Sequence, residues 1–199
     1  MAQPRLNTFA RVRALEGWKA IAFSAALLER MLPNYRLFCE ATGFDDENVC
    51  RTCLDLIWER LKAPKSRINF GLQLEKVESV TPDTSDYDFF GVYPAIDAAV
   101  GLSAALQLIL GQDDQGAVVV SKLSQGSVEV YLLATGEATD DDVKHHPLMT
   151  FEIDIQNELL DCLDRAKPDA TTADTLIAIA LEENMSNIGV SLSDEVQGS

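Results

Sequence analysis

Histidine is almost missing from this chain of 199 residues: there are two, and they are adjacent, His145 and His146. A serine or cysteine triad would have to take its base from that single point. Neighbouring residues on a helix point roughly 100° apart, so the pair also makes a poor metal site and reads as a solvated helix junction. The glycines are scattered, without a Gly-rich phosphate loop, and neither a Gly-x-Ser-x-Gly elbow nor a His-Glu-x-x-His pair occurs. Common hydrolase and nucleotide chemistries are therefore disfavoured.

Long apolar runs and a leader are not expected either. No run reaches the ~18 residues that a membrane span requires. The patch from Ala20 to Leu28 follows Arg5, Arg11, Arg13 and Lys19, but it continues into Glu29-Arg30 without a small-x-small cleavage site. Basic residues are scarce in the last two thirds. Residues 1–66 hold 10 Lys+Arg against 8 Asp+Glu and residues 67–199 hold 6 against 24, giving +2 and −18, the total of −16. Such a surface repels phosphate backbones and anionic lipid, which excludes nucleic acid and membrane as partners and reads as a solvated acidic face. The four cysteines, Cys39, Cys50, Cys53 and Cys162, are simplest as reduced thiols in a cytoplasmic protein.

What remains is an ordinary globular composition, 47% hydrophobic and 24% charged. A chain of this length buries roughly 70% of its unfolded surface and needs no disulfide, metal or cofactor for stability. Without repeats or a low-complexity linker, it is expected to form one domain over 1–192, with a frayed tail at 193–199.

Periodicity points to an all-α bundle of about seven to eight helices. Leu15, Trp18, Ala22 and Ala25 or Ala26 recur at helical spacing up to Met31, and Pro33 suits the first turn of a second helix that Gly43 ends. Asp45 or Asp46 is placed to cap a third, with Val49, Cys53, Ile57 and Leu61 on one face, Arg51, Asp55, Glu59 and Lys62 on another, and Pro64 as its end. A fourth, near 69–80, turns Phe70, Leu74 and Val77 inward. From Pro94 to Leu110 nearly every face is apolar, the mark of a buried central helix.

Beyond the turn at 111–116, Val118 to Val120 would suit a strand. Helix is preferred, because a lone strand has no partner and Val120, Leu123, Ser127, Val130 and Ala134 fit a helical stripe. Thr139 before Asp140, Asp141 and Asp142 predicts a helix start. Pro147 begins a longer helix with Leu148, Phe151 or Glu152, Ile155, Leu159, Cys162 or Leu163 and Ala166 inward, and a last one runs from Thr171 to about Glu183.

Four places invite chemistry. Cys50-Arg51-Thr52-Cys53 has redox and zinc spacing, but the thiols fall one to two turns inside their helix, so they read as core. The stretch from Asp86 to Asp97 mimics a calcium loop poorly: Phe90 takes a ligand position, Asp replaces the bidentate Glu, and Pro94 to Asp97 belongs to a helix. Asp97 is the one charged residue on the apolar central helix, and a buried carboxylate must be paired, hydrogen-bonded or protonated. A place in the first turn favoured by the helix dipole and a salt bridge to Arg30 would satisfy it. The functional alternative sets it beside Glu29, Arg30, Asp88 and Tyr93 as a ligand or acid/base site. The aromatics Tyr87, Phe89 and Phe90 cap the bundle or form a subunit contact.

Three strings identify relatives: Glu29-Arg30-Met31-Leu32-Pro33-Asn34-Tyr35-Arg36-Leu37-Phe38-Cys39 with Thr42-Gly43-Phe44, Leu54-Asp55-Leu56-Ile57-Trp58-Glu59, and Gly91-Val92-Tyr93-Pro94-Ala95-Ile96-Asp97-Ala98. On them the chain resembles the bacterial YjaG-like family, domain of unknown function 416. The likeness is good over about 10–110 and looser beyond, through Phe151-Glu152-Ile153-Asp154-Ile155-Gln156 and Ser186-Asn187-Ile188-Gly189. It implies a bacterial cytoplasmic protein and carries over no functional residues. The first expectation is a non-catalytic helical binding or interaction protein, self-associating through 87–93. The second is an enzyme or small-molecule binder with carboxylates at Asp97, Asp88 and Glu29.

Overall fold

The structure, a computed structural model, describes residues 7–44 and 47–192. The expected cap at Asp45 or Asp46 and the tail at 193–199 lie outside the described residues. Among those described, eight α-helices and no strands are present. They are α1 (Thr8–Arg13), α2 (Trp18–Thr42), α3 (Glu47–Lys62), α4 (Phe70–Ser79), α5 (Val92–Ile109), α6 (Gly116–Thr135), α7 (Pro147–Arg165) and α8 (Ala170–Ala180), with a short 3-10 turn at Val143–His145 before α7.

The sequence pattern splits α2 where the chain does not. Gly17, at φ 56°, separates α1 from α2, and α2 then runs unbroken to Thr42 with Pro33 inside it. An internal proline removes one N–H and costs about 3 kcal/mol. Met31, Leu32, Tyr35 and Phe38 on either side are all buried, and burial of each such side chain contributes roughly 1.5–3 kcal/mol. Packing outweighs the lost bond, so the helix continues. Gly43 ends it as expected, in the left-handed conformation, returning its N–H to the Cys39 carbonyl.

The core forms around α2 and α5, which pack closely on each other. Ala22, Ala25 and Ala26 of α2, and Ala95, Ala98 and Ala99 of α5, are buried in one cluster. The close approach continues on the other side of α5, where a Cβ at Gly116 would sit 2.5 Å from the Ala104 carbonyl oxygen. By length and composition the 18 residues Val92–Ile109 are apolar enough to cross a bilayer, contrary to the expectation that no run reaches that length. Here α5 is the central helix, with α2, α4 and α6 packed on it.

Two further expectations fail locally. The stripe assigned to α6 is rotated: Val120 and Ser127 are buried, but Val130 and Ala134 are exposed, and the inward face is Ala117, Val120, Ser121, Ser124, Val128 and Leu132. Its serines point inward because a polar partner waits there. After Thr139 no α-helix forms. The Asp142 carboxylate turns back to accept the Thr139 N–H and hydroxyl at 2.6 and 3.0 Å, closing a turn. Pro147 then holds His146 extended, and α7 starts afresh with the His146 imidazole accepting the Leu148 N–H at 3.2 Å. Helix α8 ends at Ala180, three residues before the expected Glu183.

Candidate functional site

The five residues singled out for chemistry go to different neighbours. Glu29 is almost buried and accepts both guanidinium nitrogens of Arg51, at 2.8 and 2.9 Å, and the Trp58 indole N–H at 2.8 Å. Its next neighbour, Arg30, points to α7. Asp97 is half-buried in the second turn of α5 rather than the first, so the helix N-terminus does not account for it. Its partner is the Ser127 hydroxyl, which donates at 2.6 Å. Burial raises the Asp97 pKa, and the Ser127 hydrogen bond opposes the rise. Asp88 and Tyr93 are exposed. Among the described residues no hydrogen bond joins any two of Glu29, Asp88 and Asp97. Glu29 borders a cleft of about 370 Å³ that it shares with Leu32, Arg36, Asn48, Arg51 and Asn184.

The expected Arg30–Asp97 salt bridge is replaced by a deeper one. Arg30 Nε pairs with Glu152 at 2.8 Å, with side chains 1% and 0% exposed. Moving two charges out of water is costly unless hydrogen bonds satisfy the remaining atoms. Here the Ser124 hydroxyl donates to Glu152 at 2.5 Å, Gln156 Nε2 donates to it at 3.1 Å, and Arg30 Nη1 donates to the Ala180 carbonyl at 2.8 Å. Ser121 donates to Gln156 at 2.7 Å. From Ser124 the seam continues to the buried Asn187, whose amide donates to the Ser124 carbonyl at 3.0 Å and accepts from Asn34 at 2.8 Å. The Asn187 N–H donates to the Arg30 carbonyl, fastening the chain after α8 onto α2.

Beyond Asn34 the seam opens onto a groove of about 450 Å³. Leu37 and Phe38 of α2, Phe89 and Phe90, Tyr131 of α6, and the turn Ile188 to Val190 form its walls. Phe38 is the buried anchor: Tyr87 meets it edge-on at 4.9 Å and Phe89 stacks on it at 5.9 Å. A Cβ at Gly91 would lie 2.7 Å from the Phe89 ring, so only glycine lets that ring fold back. Phe90 packs between Tyr93 and Tyr131, at 6.3 and 6.1 Å. Burial, and then Glu137, raise the Tyr131 pKa. The turn itself is held by Ser186, whose hydroxyl accepts the Ile188 and Val190 N–H groups. The aromatic segment thus both caps the bundle, through Tyr87, and presents surface, through Phe89 at 43% exposure.

Sequence reasoning passed over Asn34, Tyr131 and the 188–190 turn as groove residues, and Ser121, Ser124, Glu152, Gln156 and Asn187 as a network. A signal was present: Glu152 and Gln156 lie i, i+4 inside an apolar stripe, and Ser121, Ser124 and Ser127 repeat at every third residue. Cys50 and Cys53 are core, as expected. Burial pushes the Cys50 and Cys53 thiols up to about 12. Among the described residues no cluster of three or more His, Cys, Asp or Glu has the arrangement of a metal site.

The family model described as "Protein of unknown function (DUF416)" matches residues 7–191. The uncharacterised protein YjaG of Escherichia coli (strain K12) is 42% identical over 187 residues, 90% of this chain and 94% of that protein. An uncharacterised protein of Haemophilus influenzae is 36% identical over 189 residues, again 90% and 94%. The crystal structure of a DUF416 family protein from Shewanella baltica OS155 is similar with a TM-score of 0.85 at 36% identity, across 94% of this chain and 100% of that one.

Proposed function

The chain belongs to the DUF416 family of unknown function, and from its own groove we propose that it is a non-catalytic binding module that docks an apolar segment of a basic partner protein. The observation that carries this reading is the open apolar groove itself. Leu37 and Phe89 lie on its walls at 48 and 43% exposure. Contiguous apolar surface of this kind marks an interaction site. Its described lining has Asn34 and Tyr131 as its polar side chains, so an occupant is held by burial and shape.

Charge selects the partner. The chain carries −16; Asp88 is exposed next to Phe89, and Glu137 lies beside Tyr131. Such a field speeds encounter with basic proteins and turns away acidic ones. No disulfide joins Cys39, Cys50, Cys53 or Cys162, which supports a cytoplasmic setting. The small-molecule alternative at Glu29, Asp88 and Asp97 has less support, because Glu29 and Asp97 engage separate neighbours and Asp88 is exposed.

The test compares wild type with the double variant Leu37→Asp/Phe89→Ser as immobilised bait, followed by titration calorimetry with each purified captured protein. A basic partner that binds wild type, weakens as salt rises and fails to bind the variant is the expected result. Identical binding to both baits sinks the reading. A wild-type dimer that the variant splits, seen by sedimentation, makes a second copy the occupant and overturns the partner assignment.

A further inference from the structure

We propose that the outer face of α5 and α6 is where two copies of this chain associate, with Asp97 of each subunit paired to the partner subunit's Lys122. The face is separate from the groove, since none of the residues that carry it lines the groove. Helices α5 and α6 run antiparallel, with Gly116 against Ala104 and the Ser127 hydroxyl donating to Asp97 at 2.6 Å. Tyr93, Asp97 and Val100 fall at i, i+4 and i+7 on one stripe of α5, and Val130 follows Ser127 by one turn on α6. Tyr93, Val100 and Val130 are 51, 39 and 49% exposed. Three large apolar side chains thus flank one carboxylate.

That carboxylate is half-buried and lacks a cation. Ser127 is its one hydrogen-bond donor among the described residues, and it engages Oδ2. Oδ1 is left without a donor and, unlike Asn34 Oδ1, is not closed off from solvent. A carboxylate partly out of water is favoured by an opposite charge within about 4–6 Å. An incoming ammonium can reach this one.

The same face carries a cation that its own chain does not use here. Lys122 of α6 is exposed, and no ion pair joins it to Asp97. It precedes Ser127 by five residues, roughly 7.5 Å of rise and about 140° of turn, so its side chain leads away from Asp97. One turn after Lys122, Gly126 sits inside the 20 residues of α6, where glycine is a weaker helix former than alanine. Nothing lies within 4 Å of the position its Cβ would take. No crowding within the chain calls for glycine there, whereas a second helix laid across that point would.

Symmetry joins these observations. About a two-fold axis at Gly126, two antiparallel α6 helices set each residue opposite the one equally far on the other side of that glycine, so the partner subunit's Lys122 lies over Val130. From there its methylene stem runs along Val130 and Tyr93, and its ammonium arrives at Asp97, one turn from Tyr93. The axis repeats the contact, covering the three apolar side chains of each copy and forming the ion pair twice. A different protein could supply a cation to Asp97 but would leave Lys122 idle; a second copy employs both charges. The −16 carried by each chain acts mainly between charges farther apart than about 8 Å, where physiological salt screens it.

Sedimentation of the full chain over a range of concentrations tests the assignment. Wild type is expected to show a monomer–dimer equilibrium, and Leu37→Asp/Phe89→Ser, confined to the groove, is expected to match it. Gly126→Leu, which has room in the monomer and strengthens the helix, is expected to stay monomeric. Lys122→Glu, at an exposed position, and Asp97→Asn, which keeps an acceptor for Ser127, are each expected to raise the dimer Kd about a hundredfold, tenfold for each of the two pairs. A wild type that is monomeric throughout overturns the proposal. So does a dimer that survives Gly126→Leu, and one that Gly126→Leu splits but Lys122→Glu does not weaken overturns the pairing and its register. A dimer split by Leu37→Asp/Phe89→Ser would sit in the groove, overturning this assignment and that of the basic partner together. If the α6 variants fail to split a dimer that the groove variant also spares, the bait experiment still judges the groove on its own.

Discussion

Two stretches of α2, less than two turns apart, follow opposite rules. Arg30 and Asn34 carry polar groups into the interior, where Glu152, Gln156, Ser124 and Asn187 meet them. Leu37 and Ala41 turn apolar surface outward to the groove. The usual order is polar outside and apolar inside. The seam shows what makes an exception tolerable inside: nearly every charge and amide has a partner at hydrogen-bond distance. The groove shows the exception outside, where none of the described residues covers the apolar wall. A satisfied interior explains itself through the fold, whereas an uncovered wall asks for an occupant.

The largest expected effect breaks the seam. Glu152→Ala strands the buried Arg30 guanidinium and should cost roughly 3–5 kcal/mol, read from urea midpoints at constant m. A loss below about 1 kcal/mol would show that the pair is solvated and the seam is not dry.

A smaller effect sharpens the comparison at its border, where Asp97 meets Ser127. The Asp97 pKa is raised in the fold above the ordinary 3.8. Its contribution to stability is therefore present below that value and is lost as pH rises through the raised one. Asp97→Asn removes the loss, so the stability of the variant relative to wild type should grow in favour of the variant as pH rises from 3.8 through the raised value. Parallel stability curves for the two proteins would contradict the raised value.

The smallest effect on stability belongs to the groove wall. Phe89→Ser should change unfolding free energy by less than about 1 kcal/mol, since the ring is already partly in water. A loss of several kcal/mol would make Phe89 part of the core and remove the contrast between the two regions.

Much of the architecture is legible in the sequence because helical periodicity is local. The stripes of α3, α4 and α7, the apolar α5, the Gly43 stop and the fresh start at Pro147 follow from residues within a turn or two of one another. Pro33 misleads for a related reason: its cost is local, but the packing that outweighs it comes from other helices. At α6 the pattern of apolar residues picks the wrong face, because Ser121, Ser124 and Ser127 are inward and their partners Gln156, Glu152 and Asp97 lie about 30 residues away.

The candidate site was legible only in part. Tyr87, Phe89 and Phe90 stood out as aromatics in an acidic segment, and they do line or support the groove. Asn34, Tyr131 and Val190 carried no mark, since a groove is a property of four chain segments meeting. Asp97 drew notice for its charge, yet its hydrogen bond to Ser127 required knowing how α5 and α6 rotate against each other.

Residue type and spacing by themselves determined the all-helical class, the stops at Gly43 and Pro147, the acidic charge and the low count of catalytic side chains, because each depends on neighbours along the chain or on composition. Tertiary structure alone decided that Arg30 pairs with Glu152 across 122 positions, that Asn34 meets Asn187 inside the seam, and that aromatic side chains from separate segments line one groove. Hydrogen-bond partners and cavity walls are set by distances in space, and those distances exist only after the helices have packed.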